Sequence, residues 1–139
     1  SGWSLYFDSN SKPTYHYNCF GQYLTTIRAE EPLYDGDHEI LIDYQHDGGF
    51  GAGGLATLYV DGEPVNSGRI ERTVPIIFSM SGETFDVGID TGAPVGPYPH
   101  GYPFSGEIHE VVLERMSRRD RETRKKMKDG LKQAGLRSQ

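Results

Sequence analysis

The chain has one cysteine and no long apolar run, which excludes an intrachain disulfide and a membrane-spanning segment. Cys19 has no second cysteine to pair with, so an intrachain disulfide is excluded and a buried, inert thiol in a strand is expected. No apolar stretch approaches the roughly 20 residues needed to span a bilayer, so we expect a soluble domain, and the acidic body described below argues against an anionic membrane as a partner. At 139 residues the chain is still long enough to bury a core of its own.

The common catalytic and metal-binding motifs are also missing. The five histidines show no H-x-x-x-H or H-E-x-x-H spacing, so the sequence does not support a zinc site. There is no G-x-S-x-G nucleophile elbow, and the glycine-rich residues 48–54 lack the lysine and the following helix of a phosphate loop. Glu107, Glu110 and Glu114 do not have the paired spacing of a glycosidase. We therefore predict no catalytic residue and no cofactor, with calcium left open below.

Charge is distributed unevenly. Residues 117–139 contain nine Lys/Arg and three Asp/Glu, which leaves five basic and seventeen acidic residues in 1–116. An acidic body argues against nucleic acid as a partner, because phosphate binding needs a cationic surface. The basic tail has the right sign, but a run of this kind is usually a solvated helix face.

Short aromatic and apolar stretches between turn residues predict many strands. The predicted strands are residues 3–7, 14–18, 20–28, 38–46, 74–79, 84–89 and 106–114, together with a hairpin over residues 55–69. Asp61-Gly62 between two apolar runs is the preferred chemistry of a two-residue hairpin turn. Residues 47–54 contain too many glycines for regular structure. We predict an all-β sandwich over residues 1–116.

The tail, residues 117–139, is predicted to form a basic helix from Ser117 to about Ala134. Ser117 is the N-cap, with Asp120 three positions later. Met127 and Leu131 form a narrow apolar stripe. Because such a helix is marginal alone, we expect it to dock on the sandwich or on a neighbouring chain.

Four aromatic residues are candidates for stacking on a ligand such as a sugar ring. Tyr98 and Tyr102 lie in the long irregular loop 91–103 and are the least expected in a core. Trp3 and Tyr44 complete the candidate set.

Three aspartates are candidates for a calcium site, since this ion takes several oxygen ligands. Asp86 and Asp90 flank a predicted turn, and Asp47 lies in the other glycine-rich turn. The alternative is that Asp86 and Asp90 fix the turn through backbone hydrogen bonds.

Nine short motifs, taken in order and with their spacing, resemble the C-terminal domain of large bacterial arylsulfatases. They are residues 2–6, 15–18, 47–49, 53–54, 58–62, 68–70, 73–75, 83–92 and 104–108. The resemblance implies a concanavalin A/laminin-G-like jelly-roll β-sandwich appended to a sulfatase catalytic domain. Cys19 is not in the C-x-[PA]-x-R context of the formylglycine nucleophile, because the sequence reads Cys19-Phe20-Gly21-Gln22-Tyr23.

The resemblance implies a non-catalytic accessory domain whose partner is the sulfatase catalytic domain of the parent chain, which it stabilises or whose substrate access it shapes. The alternative is a lectin-like module that binds carbohydrate. The acidic body disfavours polyanionic sulfated glycans. The abrupt start at Ser1, with no visible signal peptide, is expected of a domain excised from a longer chain, and the compartment stays open.

Overall fold

Six strands form two antiparallel sheets in the computed structural model, which describes residues 1–74, 86–89, 94–99 and 101–137. The first sheet has the order β1-β2-β3 and the second β4-β5-β6. The strands are β1 Gly2–Phe7, β2 Pro13–Cys19, β3 Tyr23–Arg28, β4 Ile40–His46, β5 Ala52–Val60 and β6 Glu63–Arg72. The described residues contain one helix, α1 Arg118–Arg137, so the part of the chain that the structure describes is all-β before its tail.

Local hydrogen bonds and backbone conformation explain the turns of two hairpins, β1–β2 in the first sheet and β5–β6 in the second. Between β1 and β2, the Asp8 carboxylate accepts hydrogen bonds from the backbone N–H groups of Asn10 and Lys12, each at 2.9 Å. Between β5 and β6, Asp61 and Gly62 have φ values of 51° and 82°. Positive φ at both central residues is the type I′ turn that suits strand twist. The predicted Asp-Gly hairpin is confirmed.

The core lies where the inner faces of the two sheets meet. Its buried members are Tyr15, Ile27, Ala29, Ala56, Leu58 and Ile70. Strand alternation explains the set, because Tyr15 and Ile27 are cross-strand partners in the first sheet and Ala56 and Leu58 share one face of β5. The Asn66 side chain also donates a 2.8 Å hydrogen bond to the Arg28 carbonyl, which links β6 to β3.

Two expectations about the second half of the sandwich need correction. Gly53 and Gly54 belong to β5 and are not irregular. A Cβ on Gly53 would overlap the carbonyls of Ile70 and Glu71, and one on Gly54 would meet the Tyr44 ring, so close packing requires these glycines.

The predicted strand 106–114 is absent, since these residues have no strand structure. Val111, Val112 and Leu113 are consecutive apolar residues, all exposed, so the alternation of a half-buried strand is lost. Residues 87–89 form a bend. Residues 84 and 85 of the predicted strand 84–89, and all but Val74 of 74–79, lie outside the described residues.

The chain divides into two compact units, Ser1–Glu107 and Ile108–Gln139. In the second unit the predicted helix is confirmed as α1. Its N-cap is Ser117, whose hydroxyl accepts a 3.1 Å hydrogen bond from the Asp120 backbone N–H and donates to the Asp120 carboxylate at 2.6 Å. Arg124 forms an ion pair with Glu114 ahead of the helix.

Candidate binding surfaces

Tyr98 and Tyr102 meet on the outer face of the first sheet. Their rings stack at 5.6 Å between centroids, and the Tyr6 ring contacts Tyr98 edge-on at 4.8 Å. The Tyr102 hydroxyl donates a 3.1 Å hydrogen bond to the Phe7 carbonyl. These contacts hold the loop against β1, so both candidate residues have a packing role that the sequence did not reveal.

A charged pair borders this tyrosine cluster. Arg28 on β3 lies 3.0 Å from the Asp8 carboxylate. Burial raises the pKa of the Tyr6 hydroxyl, and the neighbouring Arg28 guanidinium opposes that rise. Tyr6 is therefore present as the neutral phenol at neutral pH.

Trp3 and Tyr44 lie elsewhere. Trp3 is on the opposite face of β1 from Tyr6 and stacks on Tyr15 at 6.3 Å, with 43% of its surface exposed. Tyr44 is on β4, packs against the core, and has a pKa raised to about 12 chiefly by burial. The four candidate aromatic residues therefore do not form one surface.

The three candidate calcium ligands are also not seen as a group. Both Asp47 carboxylate oxygens face the Arg69 guanidinium in an ion pair. Asp86 is exposed beside the bend at 87–89, and Asp90 lies outside the described residues. Within the residues that the structure describes, no three His, Cys, Asp or Glu side chains form a group that could hold a metal ion.

One end of the sandwich is strongly acidic, a feature that the sequence reasoning missed. Residues 29–39 contain five Asp/Glu and no Lys/Arg, and the neighbouring β5–β6 turn adds Asp61 and Glu63. The signal was visible in the sequence as the run E-E-P-L-Y-D-G-D-H-E.

His38 fastens this acidic loop to the hairpin. Its Nδ1 lies 2.8 Å from an Asp61 carboxylate oxygen, and its Nε2 lies 2.9 Å from the Tyr34 carbonyl. The other Asp61 oxygen accepts a 2.9 Å hydrogen bond from the Glu39 N–H. Hydrogen bonding to Asp61 raises the pKa of His38, because both ring nitrogens face acceptors and the protonated ring can donate to both.

An apolar groove of about 210 Å³ opens beside this loop. Six apolar residues line it, of which two are buried and four half-buried: Pro13 and Ala29, then Pro32, Leu33, Val60 and Val65. The other two lining residues, Glu30 and Glu31, are exposed and form what we call its anionic rim. Two backbone hydrogen bonds order the loop that forms one wall, from Ala29 N–H to the Pro13 carbonyl at 2.9 Å and from Leu33 N–H to the Ser11 carbonyl at 2.8 Å. The groove is therefore preformed, with apolar walls and an anionic rim.

A second, polar groove of about 420 Å³ lies between β3 and β6. Gln22, Tyr23, Thr25 and Glu71 are among the residues that line it. Arg72 sits 5.6 Å from the centre of the Tyr23 ring. The groove thus presents an aromatic ring amid hydrogen-bonding side chains.

Comparison with known proteins adds no relative. No protein-family model, no curated protein and no solved structure matches the chain. No helix among the described residues has both the length and the apolar character needed to cross a membrane.

Proposed function

We propose that this chain is a non-catalytic accessory domain that docks on a protein partner, and that the partner is the catalytic domain of an arylsulfatase in the same parent polypeptide. The single observation that carries the docking role is the preformed apolar groove with its anionic rim at the acidic end of the sandwich. Apolar grooves framed by charge fit protein segments that bring an apolar anchor and the opposite charge.

The engagement of the reactive side chains supports a non-catalytic role. Asp8 is paired with Arg28, Asp47 with Arg69, and Asp61 with His38. His16 is buried and hydrogen-bonded to the Thr26 hydroxyl at 2.8 Å. These contacts join neighbouring strands and turns, which is a structural use of acid and base groups.

The family assignment within this proposal comes from the nine-motif resemblance. The L-Y-V-D-G motif lies in the β5–β6 hairpin, and the motif G-R-I places Ile70 in the core. A concanavalin A/laminin-G-like jelly roll is the finer architecture that the family implies for the all-β body. Cys19 is buried at the end of β2, outside the motif of a sulfatase nucleophile.

An activity assay with the isolated chain tests the non-catalytic half of the proposal. We expect no hydrolysis of 4-nitrophenyl sulfate above buffer, since this chain carries no formylglycine motif. Activity that survives repurification and is lost on mutating a residue of this chain would refute it.

The coding sequence upstream of Ser1 and the stability of the parent enzyme test the other half. We expect a C-x-[PA]-x-R motif several hundred residues earlier, and a lower melting temperature of the catalytic domain when residues 1–139 are deleted. An upstream region without the motif, or a catalytic domain that melts identically without this domain, would contradict the sulfatase assignment or the stabilising role respectively.

The polar β3–β6 groove favours a second candidate function, a lectin-like module that binds carbohydrate. An aromatic ring beside amide, hydroxyl and carboxylate groups is suited to a neutral sugar. Affinity electrophoresis on neutral polysaccharides tests carbohydrate binding. The variant is Tyr23→Ala, and Tyr34→Ala, which removes another exposed tyrosine, is the matched control. If the polysaccharide retards the wild type and only Tyr23→Ala abolishes this retardation, the lectin-like function is favoured. If the wild type is not retarded, the lectin-like function is refuted.

A further inference from the structure

The apolar groove has a shape and charge that specify its occupant more closely than docking in general. Its lining suits one or two aliphatic side chains, because six of the eight residues that line it are apolar and only Glu30 and Glu31 carry charge. Its volume of about 210 Å³ is too small for a folded surface to enter. The occupant is therefore a protruding segment and not a flat face.

The rim determines the charge of that segment. Glu30 and Glu31 line the groove and are exposed, and Asp35, Asp37 and Glu39 follow in the same loop. Of the two cations next to the groove in sequence, Arg28 is paired with Asp8, which leaves Lys12 as the nearest other base. Residues 1–116 contain five basic and seventeen acidic residues in all, so the surrounding field has the same sign as the rim.

We infer that this groove, the acidic docking groove, binds an exposed segment of the partner protein in which one or two aliphatic residues are flanked by lysine or arginine. The aliphatic side chains enter between Leu33, Val60 and Val65. The flanking cations meet the rim carboxylates. The inference rests on the proposed docking function and names the chemistry of the partner.

The loop is suited to this role because it is held in place before binding. Asp61 accepts from both His38 and the Glu39 backbone, and Leu33 is tied to Ser11. A preformed groove avoids the entropic cost of ordering a loop on association.

Fluorescence anisotropy with a labelled octapeptide tests the inference, using a probe with two leucines between two runs of three lysines. We expect binding in roughly the 10⁻⁴ M range at low salt, weakening as salt screens the rim. One control peptide replaces the lysines with glutamate and the other replaces the leucines with serine. Neither control should bind.

Two variants that each remove one negative charge distinguish peptide binding at the groove from non-specific attraction to the acidic surface. Glu31→Gln alters the rim, whereas Glu71→Gln alters the polar β3–β6 groove. We expect Glu31→Gln to weaken binding about three- to fivefold, as a close charge pair does, and Glu71→Gln to change it less than twofold. Leu33→Ser, checked for folding by circular dichroism, should abolish binding.

Equal effects of Glu31→Gln and Glu71→Gln, binding of the serine peptide, or no binding of the leucine peptide would each overturn the inference. NMR shift changes confined to residues 29–33, 60 and 65 would support it. Failure of the sulfatase catalytic domain to bind, with the peptide result intact, would remove the proposed function and leave the groove and its ligand chemistry standing.

Discussion

Gly68 shows how a single missing side chain sets the distance between the two sheets. A Cβ built at this position on β6 would lie 2.9 Å from Ile27 Cγ1, and Ile27 is only 2% exposed. The backbone of Gly68 is not in the left-handed region, so packing alone excludes a side chain there. We predict that Gly68→Ala lowers the free energy of unfolding by about 1–3 kcal/mol, the usual cost of overfilling a packed core.

Chemical denaturation measures this change, and Gly130→Ala is the matched control. Gly130 lies in α1 with no atom within 4 Å of a Cβ, so alanine should raise helix stability by about 1 kcal/mol. If Gly68→Ala leaves the denaturation midpoint unchanged, the close approach of β6 to Ile27 is wrong.

His38 and His16 should respond to pH in opposite directions. The folded pKa of His38 is raised by its hydrogen bond to Asp61, so its stabilisation is complete below the unfolded pKa of about 6.5 and is lost as pH rises through the folded pKa. Burial lowers the pKa of His16, so its contribution is complete above about pH 6.5 and is lost as pH falls through its folded pKa.

The His38 contribution can be isolated by comparing melting temperatures of the wild type and His38→Gln across pH. We predict that the deficit of His38→Gln is largest below pH 6.5, by the reference value for histidine, and shrinks at higher pH. In an Asp61→Asn background the pH dependence of this deficit should decrease. A deficit that is constant with pH in both backgrounds would contradict the His38–Asp61 contact.

Single residues were only partly predictable. Cys19 is buried as expected, because a small apolar thiol in a strand rarely stays exposed. Tyr98 and Tyr102 lie outside the core cluster, as expected, but their packing on Tyr6 joins residues more than ninety positions apart. No local pattern encodes such a pairing.

At the scale of elements, the β5–β6 turn depends on glycine for its geometry. Gly62 has φ of 82° with open space around a hypothetical Cβ, so a substitution there meets backbone strain and no clash. We predict that Gly62→Ala lowers the free energy of unfolding by about 1 kcal/mol, the cost of placing an L-residue in the left-handed region.

Gly62→Asn is the control, because asparagine tolerates this region and should recover about half of the loss. Urea denaturation of both variants gives the comparison. Equal losses for alanine and asparagine would argue against the type I′ turn.

The N-cap of α1 gives an independent test of an element. Ser117→Ala removes the hydrogen bond to the Asp120 N–H and should reduce helix stability by about 1 kcal/mol. Ser117→Asp should retain most of it, since aspartate also caps. Helix content is measured by circular dichroism, with amide exchange at residues 118–122. An unaltered helix in both variants would contradict the capping role of Ser117.

Elements with local signals were predicted well. The Asp61-Gly62 hairpin and the Ser117 cap each follow from residues at the turn or helix end itself. The start of β5 at Ala52 was not predicted, because Gly53 and Gly54 are required by close approach of distant carbonyls and a ring. The strand predicted at residues 106–114 was wrong. Their partial alternation of apolar and polar residues is not matched by a partner strand among the described residues.

At the scale of the whole molecule, all-β architecture follows from composition and turn spacing, whereas the acidic docking groove does not. Pro13, Ala29, Leu33, Val60 and Val65 come from three separate stretches that only the packing of β2, β3 and the β5–β6 hairpin brings together. The acidic run 29–39 was readable in the sequence, but its place beside an apolar groove was not. Docking of the basic tail, predicted because a helix with a narrow apolar stripe is marginal alone, stays a prediction.

The most direct test of the central claim is an isothermal titration of the isolated chain against the separately expressed catalytic domain of its parent. The account predicts one-to-one binding that weakens with salt and weakens further in Glu30→Gln/Glu31→Gln, with no such further loss in Glu71→Gln. The absence of binding heat at about 100 µM of each partner, where a complex of micromolar affinity would be nearly saturated, together with an unchanged melting temperature of the catalytic domain, would contradict it.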